Sequence, residues 1–313
     1  MFWVEDGVLK GFDRTASCEG DVMALPNGIT SVGAKAMQKF RCEKLVMPST
    51  LRHIEKEAFK DASISEIDFG DCQLETIESE AFWPCEAKAA LPDSVRKIGA
   101  LGAYSLAVSE GSTMRLPKSL RYIANTGVCL ANMDDVEVDE SSVTAETNLA
   151  ISIISSLRPE SWVTVHVLRE GKEEYSFVLC NDRAVSYRWS CMQNFIGSKG
   201  VDFKVYDEGL DKIAKVCCKV KAYALRLAWP IELPRDKELM YRTYVLKHYN
   251  ELMQGKAEDL EAIKIYGEAD LISRYHLEEL LENARRKQNI ALVAYLMDLL
   301  KRKHGSCVKI LGL

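Results

Sequence analysis

A hydrophobic pattern recurs six times in the N-terminal part of this 313-residue chain, and it constrains the fold more than any other feature. Each unit begins with two apolar residues two positions apart, followed by Pro or a substitute for it. The copies are Met23-Ala24-Leu25-Pro26, Leu45-Val46-Met47-Pro48, Ile67-Asp68-Phe69-Gly70, Ala89-Ala90-Leu91-Pro92, Met114-Arg115-Leu116-Pro117 and Val136-Glu137-Val138-Asp139. The steps between the anchors at positions 26, 48, 70, 92, 117 and 139 are equal, except that the step from 92 to 117 is longer. Such a period predicts a solenoid, in which stacked units bury apolar faces that no unit can bury alone.

Other residues recur at fixed distances after each anchor. Aliphatic residues follow it by three and six positions, as in Leu51 and Ile54, and a small residue follows by ten, as in Ala58. The third unit carries this series shifted by one, which indicates a one-residue insertion near 71–73. Alternation around the anchor predicts a short strand with one buried face, which Pro ends because it lacks an N–H. The side chains that we expect to point into the core are Leu45, Met47, Leu51, Ile54, Phe59, Ile67, Phe69, Ile77, Phe82, Leu91, Ile98, Leu116 and Ile123.

These units resemble the BspA-type leucine-rich repeat family. The clearest copy runs from Leu45-Val46-Met47-Pro48 to Ala58-Phe59, and 91–99 and 116–123 are similar. The opening 4–10 is similar to the family's N-terminal cap hairpin, with Asp6-Gly7 as its tight turn. The resemblance covers about residues 1–140 and implies a leucine-rich repeat solenoid with short strands.

The segment 141–205 lacks the repeat anchors, and its pattern predicts a small mixed α/β segment. We expect a helix over 146–157, a strand over 162–168, a turn, a returning strand over 175–179, and a further helix over 185–196. Because the terminal coil of a solenoid needs a cover for its apolar edge, the segment is expected to cap the open end.

The segment 206–313 has helical periodicity. Apolar spacing predicts helices over 210–220, 221–227 and 235–253, and two further pairs beyond 257. The spacing between Leu260 and Leu292 is loosely similar to that of ankyrin-type helix pairs, although a generic helical bundle remains the alternative. The chain is therefore expected to be α+β, with a solenoid over 1–140, the mixed segment over 141–205 and a helical domain over 206–313.

Composition bears on location and on the class of partner. No stretch of 18 apolar residues is present, and the first residues do not look like a signal peptide, so we expect a cytoplasmic protein without a membrane partner. Residues 1–140 hold 15 Lys and Arg against 23 Asp and Glu, a net charge of −8, so the remainder carries +3. An acidic solenoid is a poor partner for a phosphate backbone, and we expect no nucleic acid.

Motifs that carry chemistry are absent from the sequence. There is no nucleophile elbow, zinc-protease motif or phosphate-binding glycine loop, and the five histidines have no spacing typical of a metal set. We therefore expect no enzyme activity, no metal and no cofactor. The ten cysteines form no dense framework, and we expect all of them to be reduced.

The residues beside the inward pair of each strand must point outward, since side chains alternate. They are expected to form one continuous strip across six coils, which we take as the candidate surface for a protein partner of unknown identity. The candidate partner-binding residues are Lys44, Val46, Glu66, Asp68, Lys88, Thr113, Arg115 and Glu137. The strip mixes small apolar side chains with both signs of charge and holds no aromatic residue, which favours a polar protein contact over a sugar or nucleic-acid site.

Three functions are compatible with these patterns. The first is a non-enzymatic protein–protein interaction scaffold that uses the solenoid face and the C-terminal helices. The second is a cell-surface adhesion protein, which the resemblance implies for some secreted members. The third is an enzyme with an unrecognised site in 141–205.

Overall fold

The structure is a computed structural model that describes residues 2–13, 18–85, 87–107, 109–110, 113–130, 132–159, 161–181, 195–248 and 260–304. The chain divides into two compact units, residues 1–209 and 210–313. Within the described ranges, no helix combines the length and the hydrophobicity that a membrane span requires.

Short strands dominate the first unit. They are Phe2–Glu5 (β1), Val8–Phe12 (β2), Cys18–Ala24 (β3), Ser31–Val32 (β4), Arg41–Val46 (β5), His53–Ile54 (β6), Ser63–Asp68 (β7), Thr76–Ile77 (β8), Ala87–Ala89 (β9), Lys97–Ile98 (β10), Leu106–Ala107 (β11), Ser109–Glu110 (β12), Thr113–Arg115 (β13), Tyr122–Ile123 (β14), Asp135–Asp139 (β15), Trp162–Arg169 (β16), Lys172–Cys180 (β17), Ile196–Gly197 (β18) and Gly200–Val201 (β19). The α-helices within the described ranges are Leu149–Ser156 (α1), Phe203–Leu210 (α2), Val216–Ala228 (α3), Arg235–Lys247 (α4), Leu260–Glu268 (α5), Arg274–Arg286 (α6) and Ile290–His304 (α7). The expected α+β architecture, with a repeat solenoid followed by helices, is confirmed.

The repeat units form stacked coils, numbered one to six here by their anchors at 26, 48, 70, 92, 117 and 139. A first sheet of seven strands, in the order β1-β2-β4-β6-β8-β10-β14, runs through the stack. The antiparallel hairpin β1–β2 opens it, and Asp6 and Gly7 form its turn with left-handed φ angles of 49° and 76°. Register confirms the predicted insertion in the third unit, because Val32 pairs with Ile54 whereas Ile54 pairs with Ile77, one position beyond the regular step.

The strands that precede the anchors form two further sheets. The second sheet has the order β11-β9-β7-β5-β3, and the third has the order β12-β13-β15-β16-β17. In coils two and five the strand stops two residues before the anchor, at Val46 before Pro48 and at Arg115 before Pro117. The expected Pro-terminated strands are therefore present.

The solenoid core consists of the recurring apolar side chains. Twelve of the thirteen expected core residues are buried. The rings of Phe59 and Phe82 stack face to face between coils two and three, with centroids 4.8 Å apart and planes 6° apart. Leu91 is the exception, since its side chain is only half-buried.

The coils approach each other closely in the first sheet. A Cβ added to Gly99 would lie 2.5 Å from the backbone nitrogen of Ser79 in the preceding coil. That separation is far below a van der Waals contact, so a side chain at position 99 would force coils three and four apart.

Helix α1 covers the last strand of the first sheet. Asn148 donates its side-chain amide to the carbonyl of Ile123 at 3.0 Å, and Ser152 donates its hydroxyl to the carbonyl of Ala124 at 2.8 Å. Ser155 Oγ accepts from the N–H of Thr126 at 3.1 Å. At Ile123 and Thr126, side chains thus satisfy backbone groups that a first-sheet strand of coil six would otherwise bind, as the expected capping role requires.

The hairpin β16–β17 extends the third sheet past the last repeat. β16 pairs parallel with β15 and antiparallel with β17, so the segment 141–205 continues the solenoid rather than standing apart from it. The expected helix over 146–157 is shorter, starting at Leu149 after a 3-10 turn over 145–147. The expected helix over 185–196 falls mostly outside the described residues, and Ile196 at its end lies in strand β18.

The second unit is helical. One expected element is wrong: 210–220 is not a single helix, because 211–215 form a turn and α3 then runs unbroken from Val216 to Ala228. Two hydrogen bonds to Asp211 hold that turn. The Tyr223 hydroxyl donates to its carboxylate at 2.9 Å, and Lys219 donates to its backbone carbonyl at 2.9 Å. Helix α4 ends at Lys247, and the rest of its expected extent lies outside the described residues. The ankyrin-type likeness of the later helices stays a prediction.

Candidate interaction surface

The outward residues of the second sheet lie in two rows across its strands. In the first row, the register aligns Val22 with Lys44, Glu66 and Lys88. In the second row it aligns Ala24 with Val46 and Asp68. All of these side chains are exposed or half-buried, so they point away from the core as the alternation predicts.

Charge in these rows is largely neutralised within the surface itself. The ammonium group of Lys44 lies 2.7 Å from a carboxylate oxygen of Glu66 and 3.1 Å from one of Asp68. The contact with Glu66, followed by the contact with Asp68, raises the pKa of Lys44. The same ion pair and the N–H of Gly70, which donates to Asp68 at 3.0 Å, lower the pKa of Asp68. These three side chains therefore form a fixed polar patch.

The third sheet carries matching rows. Thr113 aligns with Asp135, and Arg115 aligns with Glu137. The register then aligns Glu137 with His166 on β16, which extends the surface one strand beyond the last repeat. His166 was not among the expected partner-binding residues.

His166 is the centre of a polar cluster on this sheet. Its Nε2 lies 3.2 Å from Asp135 and its Nδ1 lies 3.0 Å from Glu173. Burial opposes the protonation of the ring, but hydrogen bonds and charge from the two carboxylates outweigh it and raise the pKa of His166 to about 9. The imidazole is consequently a cation at neutral pH, held between two anions.

Ser176 also contacts His166, with its hydroxyl oxygen 2.9 Å from Nδ1. A serine, a histidine and an aspartate in contact invite comparison with a nucleophilic triad. Ser176 is only 1% exposed, however, and it donates a hydrogen bond to Glu173. A hydroxyl closed off from solvent in this way cannot reach a substrate carbonyl, so the cluster positions β15, β16 and β17 against one another.

The expected continuity of the strip is wrong. Strand β9 of coil four does not pair with β13 of coil five, and the second and third sheets separate there. The chain between them forms β11, which pairs with β9, and β12, which pairs with β13. The longer step from anchor 92 to anchor 117 is the physical reason, because its extra residues give the chain enough length to place two short strands between the coils. We call this interruption the break.

The break opens a cleft of about 820 Å³. Its lining includes Phe69, Lys88, Ala89, Leu91, Arg115 and Leu116. The residues equivalent to Leu91 in the other coils are all buried, at 1% to 4% exposure. Leu91 was expected to be buried as well, and it is half-exposed because no strand of coil five covers it.

The candidate residues therefore fall into two groups. Lys44, Val46, Glu66, Asp68 and Lys88 lie on the second sheet, and Thr113, Arg115 and Glu137 lie on the third. Of the eight, Glu66, Asp68, Lys88 and Arg115 line the cleft. The sequence contains two signals of the cleft: the longer step between anchors, and the small Ala89 where other coils place Met, Leu, Ile or Val.

Neither metal-ligating side chains nor reactive thiols form a second candidate functional site among the residues that the structure describes. No group of three His, Cys, Asp or Glu side chains there is arranged to hold a metal ion. Five cysteines in these described ranges are buried: Cys42, Cys72, Cys85, Cys180 and Cys218. Burial raises the pKa of Cys85 to about 12, which keeps its thiol protonated and unreactive at neutral pH.

Comparison with known proteins identifies the repeat. A search of the curated proteins finds no match for this chain. The family model for the BspA type leucine rich repeat region matches residues 16–127 in six copies. Those residues span coils one to four and most of coil five, where the strands, register and core described above follow the repeat. Residues 16–127 are therefore a BspA-type leucine-rich repeat region.

Proposed function

We propose that this protein is a non-enzymatic scaffold of the cytoplasm that binds a partner protein across the outward rows of the second and third sheets. Leucine-rich repeats are in general associated with protein–protein interaction or adhesion and are typically non-enzymatic. The observation that carries the proposal is the register, which aligns outward side chains from successive coils into rows.

The chemistry of the rows supports a protein as the ligand. Both signs of charge are present, and Val22 adds an apolar side chain that is 65% exposed. Many of the charged side chains already have a neighbour of opposite sign, as Lys44 shows, so they are held in place before a partner arrives. Pre-ordered side chains lose less conformational entropy on binding, which favours affinity.

The test uses the full chain as bait in native extract, followed by identification of captured proteins by mass spectrometry. The variant Val22→Glu with Val46→Lys replaces two apolar side chains of the outward rows while leaving net charge unchanged. Each new charge faces an opposite one, since Val22 aligns with Lys44 and Val46 with Asp68, so folding is expected to be preserved.

A protein captured by wild type and lost with this variant supports the proposal. The matched control is Lys10→Glu with Glu5→Lys, which exchanges two exposed charges on the N-terminal hairpin and should leave capture unchanged. If the row variant captures the same proteins in the same amount as wild type, the outward rows are not the interface and the C-terminal helices become the leading candidate.

Adhesion at a cell surface is the alternative, and the cysteines distinguish it. A cytoplasmic protein keeps its thiols reduced, whereas disulfides persist outside the cell. Titration of freshly purified, denatured protein should therefore count close to ten thiols, the number in the sequence. A count near zero, together with recovery in the surface fraction of the cell, would contradict the cytoplasmic assignment.

A further inference from the structure

We propose that the cleft at the break is the docking site for an extended segment of a partner protein that carries an acidic side chain. The inference rests on the proposed function and adds to it the position of the main contact and the chemistry of the segment that occupies it.

The backbone ladder between the coils is interrupted at the break. In coils one, two and five the residue before the anchor donates its N–H to the next coil: Leu25 to Val46 at 3.0 Å, Met47 to Asp68 at 2.8 Å and Leu116 to Glu137 at 2.9 Å. No such bond joins 87–91 to 113–117 among the residues that the structure describes.

The coils remain joined on either side of this interruption. Ser119 donates its N–H to the carbonyl of Asp93 at 3.0 Å, and Lys97 pairs with Tyr122 in the first sheet. β11 and β12 already pair with 87–88 and with 113–114, so the break is a local opening at the ends of β9 and β13, where the backbone of 89–91 and of 115–116 faces the cleft. An extended chain is the ligand that satisfies such edges, because it binds strand edges through main-chain hydrogen bonds.

The cleft has an apolar floor. Phe69, Ala89, Leu91 and Leu116 all line it, and Leu91 exposes apolar surface that its equivalents bury. The volume of about 820 Å³ is in the range of clefts that bind ligands, roughly 300–1,000 Å³. Covering the exposed part of Leu91 would add a hydrophobic contribution to binding.

The charged side chains of the cleft indicate which occupant it favours. The carboxylates that line the cleft already have cationic partners: Glu66 and Asp68 bind Lys44, and Asp93 binds Lys118 at 2.8 Å. Burial opposes the ionisation of Asp93, but Lys118 and the nearby charge of Arg115 hold its pKa below the usual range.

The cations of the cleft differ from these carboxylates in their ion pairing. Lys88 and Arg115 form no ion pair with any residue in the described part of the chain, and both side chains are exposed. They stand at opposite edges of the break, on β9 and β13. Both cations would attract an acidic side chain that enters the cleft, which determines the sign of the charge on the occupant.

The probe is a phage-displayed library of random octapeptides, selected on the immobilised full-length chain. Selected peptides are expected to contain Asp or Glu flanked by apolar residues. Their affinity should fall at least tenfold with Lys88→Glu plus Arg115→Glu, and also with Ala89→Trp, which fills the cleft. The matched control, Lys10→Glu plus Lys199→Glu, makes the same charge change on exposed lysines elsewhere in the first unit and should alter affinity less than twofold.

Circular dichroism of each variant separates loss of binding from loss of folding, and the charge variant provides the decisive measurement if Ala89→Trp does not fold. The inference is wrong if no peptide is enriched, if the enriched peptides lack an acidic residue, or if they bind the charge variant as tightly as wild type. Self-association of the wild-type chain that Ala89→Trp abolishes would also overturn it, because a second copy would then occupy the cleft.

The extract experiment distinguishes this inference from the proposed function. If Val22→Glu with Val46→Lys abolishes capture while Lys88→Glu with Arg115→Glu preserves it, the scaffold function holds and the cleft is not its docking site. If both variants capture the same proteins as wild type, the scaffold surface and the docking site are both wrong.

Discussion

The second and third sheets are built from the same repeat, yet they present different surfaces. In the second sheet, β3, β5 and β7 pair directly with one another because their coils follow at the regular step. The third sheet begins within the longer step from anchor 92 to anchor 117, and the antiparallel strand β12 lies at its first edge. The difference shows that the repeat period decides where a solenoid is continuous and where it opens.

The two sheets also differ in how their charged side chains are paired. On the second sheet an exposed lysine, Lys44, binds two carboxylates in contact with solvent. On the third sheet a largely buried imidazole, His166, is held between Asp135 and Glu173. The first arrangement is a surface feature with little expected effect on folding, whereas the second makes the stability of the third sheet depend on pH.

The largest expected effect is on the free energy of unfolding, which should fall more when a core side chain is truncated in a regular coil than when one is truncated at the break. Phe59→Ala removes a fully buried ring that stacks on Phe82 and should destabilise the protein by about 3–5 kcal/mol. Leu91→Ala, in a half-exposed site at the cleft, should cost only about 1 kcal/mol. Urea unfolding followed by circular dichroism measures both, and equal losses would mean that the break does not loosen the packing around Leu91.

The His166 cluster should produce the next largest effect. Its pKa of about 9 lies above the ordinary 6.5, so the folded state binds the proton more tightly than the unfolded state does. The resulting stability is fully present below the unfolded pKa and is lost as pH rises through the folded one, and it amounts to at most about 3 kcal/mol.

His166→Gln removes this contribution. The difference in unfolding free energy between wild type and variant should be largest near pH 6 and should shrink towards about pH 10. A difference that stays constant over this range would show that His166 contributes by packing alone. Lys44→Gln on the second sheet is the matched comparison and should show no such trend around neutral pH.

Gly99→Ala tests whether coils three and four are tightly packed against each other beside the first sheet. Its Cβ would lie 2.5 Å from the Ser79 nitrogen, so the coils must shift, at a cost of about 1–3 kcal/mol. Gly197→Ala is the control, because the nearest atom to its added Cβ is 3.9 Å away. Thermal unfolding compares the two variants, and equal midpoints would mean that coils three and four are not tightly apposed at Gly99.

Much of the solenoid could be predicted because its information is local and repeated. The positions of Leu45, Ile54 and Phe59 within a unit are enough to place them in the core, since every neighbouring unit offers the same apolar face. The same reasoning failed for Leu91, because it assumes that the next coil lies at the usual distance. The longer step and the small Ala89 were visible in the sequence, but their consequence depends on the path of the extra residues.

The missed contribution of His166 and the wrong helix over 210–220 share another cause. The alternation in 162–168 predicts a strand, but its pairing with β15 joins Glu137 to His166, which is distant in the chain, and no local pattern specifies that partner. Apolar spacing over 210–220 is compatible with one helix, yet contacts from Lys219 and Tyr223 to Asp211 favour a turn. In both places, contacts that the apolar pattern does not encode decided the outcome.

Helix α1 has a consequence for how this protein could change in length. By binding the carbonyl of Ile123 and the N–H of Thr126, the side chains of Asn148 and Ser155 leave the edge of β14 unable to template another strand. Any added repeat must therefore be inserted upstream of β14, where every new unit meets a neighbour on both sides. The same obstruction prevents two molecules from joining end to end at β14, so the chain carries its own stop against fibre growth at that edge.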